Sequence, residues 1–217
     1  LRHLIVLSLI SMLLLPFGNS IHAQTNTGII RVAPNGSDTP GCGSESSPCQ
    51  SPLFGAYQAI QSATFTVSGE VRIAGGRYSQ SAFSSLVHVG NAGNLRISGG
   101  YSTSNWNGSD PINNATILYR QNTKRGIFIS VPNDKAAACH ITISNLTIEN
   151  GRSNNDIGNT YGGGILIDNC TDVRISNVTI RNSQAVGLSN TGNSIAAAGA
   201  GGAIAVRGNQ SVQAGLT

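Results

Sequence analysis

Val173-Arg174-Ile175-Ser176-Asn177 and Ile141-Thr142-Ile143-Ser144-Asn145 read alike: apolar, polar, Ile, Ser, Asn. Two earlier segments share the pattern with Gly in the last place, Val71-Arg72-Ile73-Ala74-Gly75 and Leu95-Arg96-Ile97-Ser98-Gly99. The copies begin at Val71, Leu95, Ile141 and Val173, so the successive offsets are 24, 46 and 32. An offset of 46 leaves room for two units of about 23, which places a missing copy near Thr116-Ile117-Leu118. The match between the last two copies runs on past the corner, because Asn145-Leu146-Thr147-Ile148-Glu149-Asn150 aligns with Asn177-Val178-Thr179-Ile180-Arg181-Asn182 at both Asn and both apolar positions.

Each unit reads as a short strand, a sharp corner and a second short strand. Alternation sends Val71 and Ile73 to one face and Arg72 to the other, so one face is dry and one wet. Gly or Asn at the corner tolerates the left-handed backbone that a tight bend requires. Such a unit buries its apolar residues only against its neighbours, so the units are expected to stack. Asn145 would then lie over Asn177, and Asn150 over Asn182, in ladders of amides.

Composition agrees with an all-β chain. The 217 residues are 39% hydrophobic, 10% charged and 5% aromatic with 27 Gly, a poor match to the Glu-, Lys- and Ala-rich surfaces of helical bundles. The formal charge of +4 comes with only two Lys and with Arg residues scattered singly, which is no footprint for nucleic acid.

Further residues carry a family resemblance. Val32-Ala33-Pro34-Asn35-Gly36-Ser37-Asp38, the pair Cys42 and Cys49, residues 52–63 and the stretch 71–78 together resemble the entry segment of secreted bacterial right-handed parallel β-helix proteins of the pectate-lyase-like superfamily. Ser98-Gly99-Gly100-Tyr101, followed by Trp106, Pro111 and Ala115-Thr116-Ile117-Leu118, is similar to a recurrent block of such proteins. Gly201-Gly202-Ala203-Ile204 resembles the repeat of polymorphic outer-membrane proteins, and Gly163-Gly164-Ile165 does so less closely. The resemblance implies a right-handed parallel β-helix, a solenoid, with a short N-terminal capping helix. The helix is expected at 53–63, where Leu53, Ala56, Tyr57 and Ile60 recur at helical spacing. Entry strand, Cys loop and helix would occupy 24–70, and coils 71–217. The pattern is still running at Thr217, and Leu1 stands where Met would, so the chain is expected to be the N-terminal part of a longer one.

Residues 1–23 read as a signal peptide. Arg2 and His3 precede a twelve-residue apolar run at 4–15, Pro16 breaks it, and Ile21-His22-Ala23 offers a cleavage site before Gln24. That run is too short to cross a bilayer, so no membrane span is expected in the mature segment. Location is therefore secreted or outer cell surface. Oxidising surroundings favour a bridge between Cys42 and Cys49 across a short turn-rich loop, where no further Cys or His at ligand spacing suggests a metal. Cys139 and Cys170, whose spacing is close to that of the last two copies, read as either a second bridge or two buried thiols.

Signals of chemistry are sparse. Polysaccharide lyases and hydrolases of this resemblance need clustered carboxylates for Ca²⁺ or a pair across the glycosidic bond. Only nine acidic residues occur, and Glu149, Asp168 and Asp172 are the nearest to a group. His88 and His140 stand alone. Tyr101 and Trp106 are candidate ligand-contacting aromatics, with packing as the plainer reading. The Asn- and Ser-rich inserts at 151–161 and 183–199 are candidate binding loops. No cofactor or metal is expected. The functional expectation is a non-catalytic adhesin-like or scaffold protein that presents loops to a polysaccharide or to a host or cell-surface protein. The alternative is an extracellular polysaccharide lyase or glycoside hydrolase whose catalytic carboxylates lie in further C-terminal coils.

Overall fold

In the computed structural model, residues 28–62, 69–79, 85–90, 94–121, 124–133, 136, 139–153, 161–185 and 202–207 are described. The expected signal peptide, most of both inserts and Ala63 lie outside them.

Short runs of Ile, Val and Leu alternating with Thr, Ser and Arg form strands throughout. They are β1 (Ile29–Val32), β2 (Gly69–Ala74), β3 (Gly76–Ser79), β4 (Ser85–Gly90), β5 (Asn94–Tyr101), β6 (Thr116–Tyr119), β7 (Arg125–Ser130), β8 (His140–Glu149), β9 (Arg152–Ser153), β10 (Ile165–Asp168), β11 (Asp172–Arg181), β12 (Gln184–Ala185) and β13 (Ile204–Arg207). Among the described residues one helix, α1 (Pro52–Ser62), interrupts them. All the strands pair in parallel, in a seven-stranded sheet ordered β1-β2-β5-β8-β6-β3 with β11 beside β8, a four-stranded sheet β13-β10-β7-β4, and a two-stranded sheet β12-β9.

This arrangement corrects the expected right-handed parallel β-helix. The strands are divided among a seven-stranded, a four-stranded and a two-stranded sheet. In the long sheet the spacing between partners is uneven: Val71 of β2 lies opposite Ile97 of β5, Leu95 of β5 opposite Ile141 of β8, and Ile141 opposite Val173 of β11. The missing copy near Thr116 does not enter between β5 and β8. Instead, β6 runs beside β3 and beside the second half of β8, with Ile117 opposite Thr147. The first two copies are also displaced from their expected pairing, since Val71 meets Ile97 where the repeat would put Leu95, and a bulge follows between Arg72 and Ala74. A displacement from Leu95 to Ile97 leaves each side chain on its expected face, as the period of a strand requires.

Ile73, Ile97, Ile143, Ile127, Ile129, Ile165 and Ile167 are fully buried in one apolar core. Helix α1 starts where Pro52 supplies the fixed φ of a first helical residue and Ser51 caps it, its Oγ accepting from Phe54 N at 3.2 Å. Ala56 and Ala59 face the core, whereas Tyr57, expected on that face, is exposed. Gly55 lets the helix approach β1 closely, because a Cβ there would collide with Val32.

Cys42 and Cys49 are bridged, with Cα atoms 5.0 Å apart. Their loop closes the outer edge of β1: Arg31 N donates to Gly43 O at 3.0 Å, Cys49 N to Arg31 O at 2.9 Å, and Ala33 N to Cys49 O at 2.9 Å. A second bridge, Cys139 to Cys170 with Cα atoms 5.3 Å apart, ties the residue before β8 to the turn before β11. Two such bridges fit an extracellular protein. No helix among the described residues is long and apolar enough to cross a membrane.

Candidate functional site: a groove beside the asparagine corner

The long strands β8 and β11 each turn at an Asn held in the left-handed region, Asn145 at φ 57° and Asn177 at φ 50°. Asn tolerates this conformation better than other residues with a Cβ, which is why it recurs at the corner. A directional chain of hydrogen bonds crosses the corner. Ser109 Oγ donates to Gly99 O at 2.7 Å, Asn145 Nδ2 to Ser109 Oγ at 2.9 Å, and Asn177 Nδ2 to Asn145 Oδ1 at 2.9 Å. Each bond polarises the next. The other expected pair differs: Asn150 and Asn182 also have positive φ, but Asn150 N donates to Arg181 O at 3.1 Å, and among the described residues no side-chain bond joins the two amides.

Beside this corner lies a groove of about 170 Å³. Its floor is Asn145, Thr147, Asn177 and Thr179, and its wall is the loop around Pro111 and Ile112. Thr147 and Thr179 are register partners on the outer face, so their hydroxyls form a short row next to the amides. Asp110 shapes the wall: its carboxylate accepts from Ile112 N and Asn113 N, both at 3.2 Å, and from Asn113 Nδ2 at 2.6 Å. Those bonds from Asn113 hold its pKa below the ordinary carboxylate value. The turn leaves Ile112 90% exposed, an apolar lip over a polar floor.

Tyr101 and Trp106, the candidate ligand-contacting aromatics, are turned inward. Their rings stack 6.2 Å apart, both are buried, and Ala33 and Ala74 complete their small cluster. Arg72 closes over them, its guanidinium 5.5 Å from the Tyr101 centroid and its Nη1 donating to Trp106 O at 2.6 Å. Neither ring offers a face to a ligand.

Glu149, Asp168 and Asp172 do not converge. Glu149 ends β8 and is clasped by Arg77 from β3, at 3.0 Å, and by Arg181 of β11. Burial pushes its carboxyl up, but the hydrogen bonds and charges of Arg181 and Arg77 outweigh this and hold it below the usual carboxylate range. Asp168, on the four-stranded sheet, accepts from Arg207 Nε at 2.9 Å. Asp172 opens β11, with His140 Nδ1 at 2.7 Å and Arg174 Nε at 3.5 Å. The hydrogen bond from His140 lowers its pKa most, helped by the charge of Arg174. Among the described residues, no group of three His, Cys, Asp or Glu could hold a metal. His88 lies on β4.

Sequence reasoning missed two elements of this surface. The Glu149 to Arg181 pair was legible, since the two residues occupy the same place in the last two copies of the repeat. The guanidinium of Arg77 over the Tyr119 ring, 3.7 Å from its centroid, and the Ile112 lip depend on long-range pairing, for which the sequence carries no local signal. Comparison with protein-family models, with curated proteins and with solved structures finds no match to the chain.

Proposed function

We propose that the chain is an extracellular binding protein without catalytic activity, and that the groove at Asn145 and Asn177 receives a glycan. The observation that carries this reading is the groove's lining. Amide and hydroxyl groups form the floor, an exposed Ile forms the lip, and among the described residues no carboxylate lines the groove, the nearby Asp110 being engaged by the backbone and side chain of its own turn. Amides and hydroxyls match sugar hydroxyls as both donors and acceptors, and an apolar lip suits the C–H face of a pyranose. Acid–base cleavage of a glycosidic bond needs two carboxylates flanking one position, whereas Glu149, Asp168 and Asp172 each engage their own cations in separate places. The two disulfides support an address outside the cell.

A glycan array followed by calorimetry tests the reading. Asn177→Gly keeps the backbone turn and removes the amide, and Thr179→Val removes one hydroxyl. Each is expected to weaken binding about tenfold, the effect of losing one hydrogen bond in a partly desolvated site. Absence of binding to every glycan tested, unchanged affinity in both variants, or release of new reducing ends or unsaturated products would overturn it.

A further inference from the structure

Around a different part of the long sheet, the outer face of β5, β8 and β11 brings cations together. Arg96 is opposite Thr142, and Thr142 is opposite Arg174. Their chain neighbours Leu95, Ile97, Ile141 and Ile143 are buried, so alternation turns this row outward. Adjacent strands lie about 4.8 Å apart, which sets the Cα atoms of the two arginines roughly 10 Å apart on either side of Thr142. An arginine side chain is long enough for both heads to reach a group seated over Thr142. His140 precedes Thr142 by two residues on the same face, about 7 Å along the strand. Its Nδ1 is engaged by Asp172 at 2.7 Å, which fixes the ring and leaves Nε2 as its other polar atom.

The charges on this face do not balance. Arg31 meets Glu45 at 2.8 Å and Arg72 meets Glu70 at 2.8 Å. Arg174 shares Asp172 with His140 and keeps three-quarters of its side chain exposed. Arg96 is exposed and has no ion-pair partner among the described residues, whereas Arg77, Arg181 and Arg207 on other parts of the surface each meet a carboxylate. Four Arg (31, 72, 96 and 174) thus face three carboxylates (Glu45, Glu70 and Asp172); Glu70 lies opposite Arg96 in register but is engaged by Arg72 at 2.8 Å, so the cation left without a carboxylate among the described residues is Arg96.

We propose that Arg96, Thr142, Arg174 and His140 form an oxyanion site that holds the sulfate ester or carboxylate of an acidic glycan. Two guanidiniums supply forked donors suited to a flat or tetrahedral oxyanion, and the hydroxyl between them donates a third bond. Asp172 favours this arrangement by orienting His140, and its distance to Arg174, 3.5 Å, is too long for a strong hydrogen bond, so that guanidinium remains open to a second anion. The site rests on the glycan reading only for the source of the oxyanion, since inorganic sulfate probes the site itself.

The experiment uses the full chain. Backbone amide shifts are followed by NMR during titration with sodium sulfate, with sodium chloride at matched ionic strength as control. Shifts are expected at Arg96, Thr142 and Arg174. Arg96→Gln and Arg174→Gln should each weaken the apparent affinity about tenfold, as expected for a lost charge-assisted bond, while Arg31→Gln, whose cation is already paired, should change it less than twofold. Sulfated, uronate-containing and neutral oligosaccharides are then compared. Preference for the sulfated chain assigns sulfate esters, and preference for the uronate assigns carboxylates. Sulfate shifts scattered over the surface, or equal effects of Arg31→Gln and Arg96→Gln, would overturn the site. A response to sulfate without any preference for acidic over neutral oligosaccharides, or competition by an acidic peptide but by no acidic glycan, would overturn the glycan source. Failure of the groove itself is read separately, because Asn177→Gly affects neutral oligosaccharides and leaves the sulfate response unchanged.

Discussion

β8 and β11 are ten residues each, pair in register from His140 opposite Asp172 to Glu149 opposite Arg181, and turn at equivalent Asn residues. Their burial nevertheless differs. Ile141, Ile143, Leu146 and Ile148 on β8 are all buried, while Val173, Ile175, Val178 and Ile180 at the same places on β11 are only half-buried. β8 lies between β11 on one side and β5 and β6 on the other, whereas β11 pairs only with β8 among the described residues. The pattern of a strand therefore decides which side chains point inward, and its place in the sheet decides how much water those side chains lose. A repeat read from sequence predicts the first and not the second.

The largest test of this difference compares Ile143→Ala with Ile175→Ala. Truncating a fully buried Ile costs about 2 to 5 kcal/mol, through lost transfer energy and the cavity left behind. At Ile175, part of the side chain is already in water, and the loss should be about 1 kcal/mol, in proportion to the smaller apolar area released. Urea unfolding of both variants measures the gap. Equal losses would break the comparison, since they would require that the β11 row be as well covered as that of β8.

A second, somewhat smaller effect belongs to the bridge between the two strands' entry points. Cys139 and Cys170 are separated by 31 positions in the chain, and removing a link across such a loop typically costs about 2 to 4 kcal/mol, mostly by freeing the unfolded chain. Replacing both by Ser should also act unevenly on the folded state. β8 retains β5 and β6, so its amides should stay protected, while those of β11 should exchange faster. Uniform acceleration across both strands would show that they open as one unit.

The particular residues show how much was legible. Strand positions at 71–74, 95–98, 141–144 and 173–176, the helix to within one residue at its start, and the Asn145 to Asn177 contact follow from alternation and corner chemistry, which act over a few neighbours. These four copies also share one sheet as neighbours, as stacking requires, but the place of the missing copy did not follow. Thr116-Ile117-Leu118 carries the same apolar alternation as the other copies, yet it joins β3 and the far half of β8, because chain connectivity over dozens of residues sets its partner. The site was less legible still. Residue type left Tyr101 and Trp106 open between packing, the plainer reading, and a ligand-stacking surface; their burial with Ala33 and Ala74 beneath Arg72 is the packing, which only long-range pairing decides. The groove's floor, by contrast, consists of the repeat's own Asn and Thr positions, which were read as architecture because the same side chains serve both purposes.

The smallest effect joins the far ends of the compared strands, where Glu149 of β8 lies opposite Arg181 of β11. The carboxyl of Glu149 is lowered on folding, because Arg181 and Arg77 outweigh the opposing effect of burial. A carboxyl lowered in the folded state contributes stability above its unfolded value, about 4.3, and that contribution disappears as pH falls through the lower folded value. Glu149→Gln should therefore lower the Tm at neutral pH and flatten its decline below about pH 5, with the two proteins converging in acid. Half of each arginine side chain is exposed to solvent, so screening keeps the difference to no more than about 2 to 4 °C. Arg181→Gln and Arg77→Gln sharpen the assignment. Arg181 bonds to the carboxylate through both Nε, at 2.7 Å, and Nη2, while Arg77 uses Nη1 alone. Losing Arg181 should thus move the acid limb to higher pH by more than losing Arg77 does. The reverse order would mean that Glu149 is held chiefly by β3, and that the link from β8 to β11 weakens towards their ends.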